Sequence, residues 1–201
     1  MSKKKGIETS PYKGVRDFYP EDQFVENYIF NTWRKTVESF GYEEYNASPL
    51  EPTELYEAKS GEEIVNEQTY TFEDRGGRSV TLRPEMTPSV ARMVAARERE
   101  LVFPLRWYSI PNLFRYEKPQ RGRLREHFQL NVDLFGSDSL ESDVEMLTLA
   151  YKILKEFGAK DSDFVIKINN RNIINSLFEK LSISDKESYD LSKLIDKKEK
   201  I

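Results

Sequence analysis

Cysteine is absent from this chain, and histidine occurs once, at His127. The first absence excludes structural disulfides, thiolate zinc sites and thiol nucleophiles. The second removes His-rich metal centres and makes a Ser-His triad a poor reading. No apolar run approaches the ~20 residues that span a bilayer. Met1 to Lys5 is basic, but no apolar core follows it, so it does not read as a secretory signal. The cytoplasm is the default compartment. Glycine-rich phosphate loops are missing too: neither G-x-G-x-x-G nor G-x-x-x-x-G-K occurs. What remains is a chain of 201 residues, 38% hydrophobic and 33% charged, with a formal net charge of -4. That is a globular composition, long enough to bury a core. Its mild acidity argues against a nucleic-acid coat protein, though not against a local basic site.

Such a site is written into Leu113 to Gly136. Phe114 to Glu117 closes one strand, Lys118 to Arg125 forms a loop broken by Pro119 and Gly122, and His127 to Phe135 forms a second strand. Phe128, Leu130, Val132 and Leu134 share one face of that strand; His127, Gln129, Asn131 and Asp133 share the other. Arg115, Lys118, Arg121, Arg123 and Arg125 place five cations in eleven residues, with Glu117 the single acid among them. Cations at that density beside a polar strand face suit a polyanion. A solvated charged hairpin is the plainer alternative.

Around it the pattern alternates hairpins and helices. The start to residue 13 is polar and expected to be mobile. Pro20-Glu21-Asp22 opens a helix over 21–40 with Val25, Ile29, Trp33, Val37 and Phe40 inward. A strand over 42–49 ends in Pro49. A short helix fits 52–59 within the acidic stretch 51–67. Strands 69–72 and 79–82 flank a Gly-Gly turn. Thr87 is read as an N-cap, with Pro88 opening a helix to about Glu100 that presents Arg92 and Arg99 to water. A helix over 142–157 turns Val144, Leu147, Tyr151 and Leu154 inward. Phe164, Ile166 and Ile168 alternate as a strand, and a further helix starts at Ile173. The chain stops at Ile201 without a cap. Hairpins rather than regular βαβ units give the α+β class, a mostly antiparallel sheet flanked by helices.

These residues resemble a known family. Phe114-Arg115-Tyr116-Glu117, the basic loop and Arg125 are similar to motif 2 of class II aminoacyl-tRNA synthetases. The helix over 21–40 and the strand ending at Pro49 resemble motif 1, the dimer motif. Leu82-Arg83-Pro84-Glu85-Met86-Thr87 resembles the histidine-binding segment of histidyl-tRNA synthetases. So do Gly14-x-Arg16-Asp17-x-x-Pro20, Tyr70 to Asp74 and Lys118 to Arg123. The resemblance implies an incomplete class II catalytic domain over 14–170, holding motifs 1 and 2 without motif 3. Residues 171–201 would begin a truncated helical insertion.

The resemblance further implies activation of histidine by ATP with Mg2+ and transfer to the acceptor end of tRNA(His), by a homodimer. The chain alone would be weak or inactive. Arg115 would be catalytic, holding the α-phosphate and the substrate carboxylate. Glu117, Arg123 and His127 would bind ATP at the adenine amino group, the terminal phosphates and the adenine face. Glu85, Met86, Thr87, Gln129 and Asp133 would bind histidine, with Asp133 accepting an imidazole N–H. Gln120 and Arg121 would meet the tRNA. No residue is expected to ligate a metal directly. The family often carries an aromatic residue where this chain has His127. The alternative is a non-catalytic paralogue such as the ATP phosphoribosyltransferase regulatory subunit, which binds without aminoacylating and tends to lose the Arg115-x-Glu117 pattern.

Overall fold

The computed structural model describes residues 8–57 and 68–197. Two compact units are present, one running to Ala159 and the other starting at Lys160. Residues 1–7 of the polar start, and the acidic stretch beyond Glu57 with the end of its expected helix, lie outside the described residues.

In the first unit, helix α1 spans Pro20–Glu38. Pro20 sits in its first turn, where its fixed φ and missing N–H are harmless, and Glu21 and Asp22 face the positive end of the helix dipole. Gly41, at φ +82°, turns the chain out of the helix. Strand β1, Glu43–Glu44, pairs in parallel with β5, Leu105–Ser109. The strand expected over 42–49 is therefore two residues long, extended by the Tyr45 N–H donating to Tyr108 O. Strands β2 (Leu50–Pro52), β3 (Tyr70–Glu73) and β4 (Ser79–Leu82) form an antiparallel sheet in the order β2-β4-β3. Helix α2 is Thr53–Glu57. The β3–β4 turn is closed by the Asp74 carboxylate, which accepts from the Gly76 and Arg78 amides.

Helix α3 is Thr87–Arg97, with Met86 rather than Thr87 at the N-cap and no side chain capping it. The residue expected as cap is thus the first helical residue. Arg92 is exposed, as expected, but it is not without a partner. It pairs at 2.7 Å with Glu51, a carboxylate only 5% exposed.

Strands β6 (Asn112–Phe114), β7 (Glu126–Phe128) and β8 (Asn131–Phe135) complete the ribbon, and helix α4 is Leu140–Glu156. The core lies between the ribbon and helices α1 and α4: Val37, Tyr42, Tyr108 and Leu149 are buried, and Val132, Leu130, Met146 and Ile153 pack on them. Helix α4 therefore turns Leu149, Met146 and Ile153 inward, whereas Val144, Tyr151 and Leu154, expected inside, stay partly exposed. Similarly, Val37 is buried on α1 while Val25 at the other end is not. Polar groups on the core side are paired. Arg106 forks onto Glu145 at 2.8 Å, holding that carboxyl below its usual range, and Tyr42 OH donates to the same carboxylate.

In the second unit, α5 is Arg171–Lys180 and α6 is Asp185–Lys197. The Asn170 side chain caps α5 by accepting from the Asn172 amide, and Ser184 and Glu187 form a reciprocal cap ahead of α6. The alternating Phe164, Ile166 and Ile168 form no strand. The sheets match the α+β expectation: β1–β5 is the sole parallel ladder among the described residues. No described helix is long and apolar enough to cross a membrane.

Candidate functional site

One ribbon positions the site. β5 pairs with β8 from Leu105↔Phe135 to Ser109↔Asn131, and β6 pairs with β7 from Asn112↔Phe128 to Phe114↔Glu126. Both ladders keep the same register. The Gln129 amide donating to Pro111 O and the Arg115 amide donating to Arg125 O continue it at either end of β6–β7. The break between the ladders falls at Pro111, which has no N–H to give. Because side chains alternate along a ribbon in constant register, Asp133, Asn131, Gln129 and His127 share parity with Trp107, Ser109 and Arg115. The opposite parity carries Tyr108, Val132 and Leu130, which face the helices. Phe128 takes that side too, its ring 5.0 Å from Phe30.

The Arg83–Met86 segment runs along the other edge of β6. Its anchor is Arg83, a buried guanidinium donating to Asn112 O, Asn112 Oδ1 and Ala47 O. The Phe114 amide donates to Arg83 O at 3.0 Å. Arg115 Nε then donates to Pro84 O at 2.9 Å. Among the described residues the two terminal nitrogens of Arg115 hold no hydrogen bond, so they are available to an oxyanion. Glu85 follows, partly buried, and Thr87 is exposed. Met86 is 1% exposed, with its sulfur against Arg83.

The basic loop is ordered around two arginines with different jobs. Gln120 and Arg123 exchange backbone hydrogen bonds across a tight turn with Gly122 at φ +77°. This leaves Gln120 and Arg121 exposed at its tip. Arg123 forks onto Glu117, with Nη2 to Oε1 at 3.0 Å and Nε to Oε2 in closer contact. Arg125 is 7% exposed and turns inward. It donates to Glu117 O, Lys13 O and Tyr12 OH, and its Cζ lies 4.0 Å over the Tyr116 ring. Its amide also donates to Gly14 O at 2.7 Å. Three of the five cations assigned to a polyanion thus hold hydrogen bonds within the protein, Arg115 through its Nε alone. Tyr12 and Lys13, from the start expected to be mobile, and Gly14 after it are bonded to the same arginine. His127 lies in the fields of Arg115 and Glu117, and burial, aided by Arg115, holds its imidazole below the ordinary histidine range.

Asp133 sits across from Trp107. Burial pushes its carboxyl above the ordinary aspartate range, opposed by a hydrogen bond from Tyr45 OH at 3.0 Å. The Tyr45 ring lies 5.6 Å from that of Trp107. Asn131, two residues away on the same face, is 9% exposed, and its Oδ1 has no hydrogen-bond partner among the described residues. Tyr45, Trp107 and Asn131 were not picked out from sequence as site residues. Tyr45 lies far from the loop in sequence, and only the pairing of β1 with β5 brings it beside Asp133, whereas Trp107 lies opposite Asp133 through the register of the ribbon itself. Asn131 had a signal, its place in the polar alternation.

The chain was compared with known proteins. The family model described as histidyl-tRNA synthetase matches residues 14–201. The histidine–tRNA ligase of Leptospira biflexa is 51% identical over 200 residues, covering 99% of this chain and 46% of that protein. The crystal structure of histidyl-tRNA synthetase from Nostoc sp. PCC 7120 superposes with a TM-score of 0.80 at 27% identity, over 94% of this chain and 43% of that one. A Bacillus halodurans structure, described as an ATP phosphoribosyltransferase regulatory subunit/histidyl-tRNA synthetase, gives 0.68 at 29% identity, over 78% of this chain and 40% of that one. The chain thus spans less than half the length of these relatives. With a family match over nearly its full length and a shared fold, this chain belongs to the histidyl-tRNA synthetase family.

Proposed function

We propose that this chain supplies the front half of the catalytic site of a histidine–tRNA ligase. A histidine carboxylate oxygen attacks the α-phosphorus of ATP. The new bond is the mixed anhydride of histidyl-adenylate, the bond to the bridging oxygen breaks, and pyrophosphate leaves. A ribose hydroxyl at the tRNA 3′ end then takes the histidyl group. The reaction needs positioning and positive charge more than a protein nucleophile. Arg115 meets the α-phosphate and substrate carboxylate, Glu117 the adenine amino group, Arg123 the terminal phosphates and His127 the adenine face. Mg2+ enters with ATP as part of the substrate. Glu85, Thr87 and Gln129 receive the amino-acid head group, and Asp133 accepts the imidazole N–H. A side chain without that N–H leaves one oxygen of the half-buried Asp133 carboxylate without its donor, which gives selectivity. Gln120 and Arg121 approach the tRNA acceptor end.

The observation that carries the reading is the shared parity of Arg115, Gln129 and Asp133 on one ribbon of constant register. A homodimer in the cytoplasm fits it. On α1, Phe24, Val25 and Tyr28 are exposed, Phe24 by 75%, an apolar strip suited to a second copy. Residues 171–201 begin a helical insertion, in keeping with α5 and α6. The test is histidine-dependent exchange of pyrophosphate into ATP by the complete gene product. Arg115→Ala is expected to abolish exchange while histidine still binds. Histidine binding without any exchange by the unaltered protein would overturn the ligase reading in favour of a regulatory paralogue.

A further inference from the structure

Resting on the reading of Asp133 as the imidazole acceptor, we infer that Tyr45 is a positioning residue for histidine specificity. It holds one oxygen of the Asp133 carboxylate so that the other faces the ligand. The geometry is direct. Tyr45 follows β1, its amide bonded to Tyr108 O, and its side chain reaches past Trp107 on β5 to Asp133 Oδ2 on β8 at 3.0 Å. Three neighbouring segments of one sheet thus converge on one carboxylate.

An aspartate on a sheet face has few constraints on χ2, so its oxygens share the accepting role unless one is engaged. The phenol engages Oδ2 and leaves Oδ1 as the acceptor. Beside it, Asn131 Oδ1 is a buried acceptor without a partner among the described residues. An unpaired acceptor at such depth is costly, and it marks where an N–H donor of a ligand belongs. An imidazole is a compact N–H donor, and the Trp107 ring beside the pair gives it an apolar wall.

The titratable groups whose charge bears on the pair are few. Tyr42 is within the field of Asp133, and Arg83 acts on Tyr45. The hydrogen bond from Tyr45 holds the Asp133 carboxyl down against burial. Removing it lets burial push the carboxyl further up, so the ionised, accepting form is lost at a higher pH.

The experiment is Tyr45→Phe in the complete gene product, read by pyrophosphate exchange across pH. The expected result is a rise in KM for histidine of about tenfold, the worth of one hydrogen bond to a charged group. The kcat and the KM for ATP stay within about twofold, and the acid limb of kcat/KM for histidine moves to higher pH. In an Asp133→Asn background the same substitution has no further effect, because its action runs through that carboxylate. Normal KM and an unmoved acid limb in Tyr45→Phe, with Asp133→Asn still losing histidine, overturn the role of Tyr45 alone. Full histidine use by Asp133→Asn overturns both it and the reading beneath it. A folded variant that loses kcat and both KM values together also overturns it, because a general packing role moves all three.

Discussion

Arg123 grips Glu117, although the two residues are proposed to hold opposite ends of one ATP molecule. The fork joins a carboxylate 9% exposed to a guanidinium 57% exposed. A pair open to water on one side contributes little to stability. It can hold the loop closed without ligand and give way to a triphosphate, which offers Arg123 more charge than one carboxylate does.

Arg123→Ala should therefore raise the KM for ATP at least tenfold, with the KM for histidine unchanged and stability hardly altered. Steady-state exchange kinetics and urea melts check both halves. An unchanged KM for ATP would show that the arginine serves the loop and not the nucleotide.

Asp133→Asn should trade activity for stability. Burial raises the folded-state pKa of Asp133. A raised pKa means the folded protein is favoured when the group is protonated, and that advantage disappears as pH rises through the folded value. At neutral pH the charge is a liability. The asparagine variant is expected to be more resistant to urea at pH 7, with the difference vanishing below about pH 3.9, the unfolded aspartate value. It should at the same time lose histidine-dependent exchange.

Gly14→Ala should destabilise the seam between the chain start and the loop by at least 1–2 kcal/mol, the approximate penalty for a side chain in left-handed backbone. Gly14 has φ +89°, and a Cβ there would lie 2.7 Å from Arg125 Cδ and 2.9 Å from Pro119 Cγ. Hydrogen exchange at the Arg125 amide, which donates to Gly14 O, should speed up before global unfolding does. Protection equal to the parent's would mean the seam is not held by this contact.

Arg92→Ala and Arg99→Ala should differ although both arginines look alike in sequence. Loss of Arg92 leaves Glu51, nearly buried, without its counter-charge, at about 1–3 kcal/mol. Loss of Arg99, in the exposed turn Glu98–Glu100, should stay within about 0.5 kcal/mol. Denaturant melts of the two variants side by side decide it.

The alternation of Phe128 to Leu134 was enough to assign a core face and a polar face to β7 and β8, because a two-residue period survives any packing. Helix faces were less legible. On α4 the stripe through Val144 and Tyr151 competes with the one through Met146, Leu149 and Ile153, and only the presence of the ribbon chooses between them. The inward turn of Arg125 was hidden for a related reason. In sequence it is one more cation in a basic loop, and its carbonyl partners at Lys13 and Glu117 become visible only when the chain start folds back.

The sequence by itself determined the family, the α+β class and the ribbon with its polar face. These rest on local signals: residue spacing, turn residues and side-chain parity. The tertiary structure decided what those side chains meet. It set Tyr45 against Asp133, closed Arg123 on Glu117, and left Asn131 Oδ1 without a partner among the described residues. Each of these depends on segments distant in the chain becoming neighbours in a sheet, and hydrogen bonds form by proximity in space, which spacing along the chain does not encode.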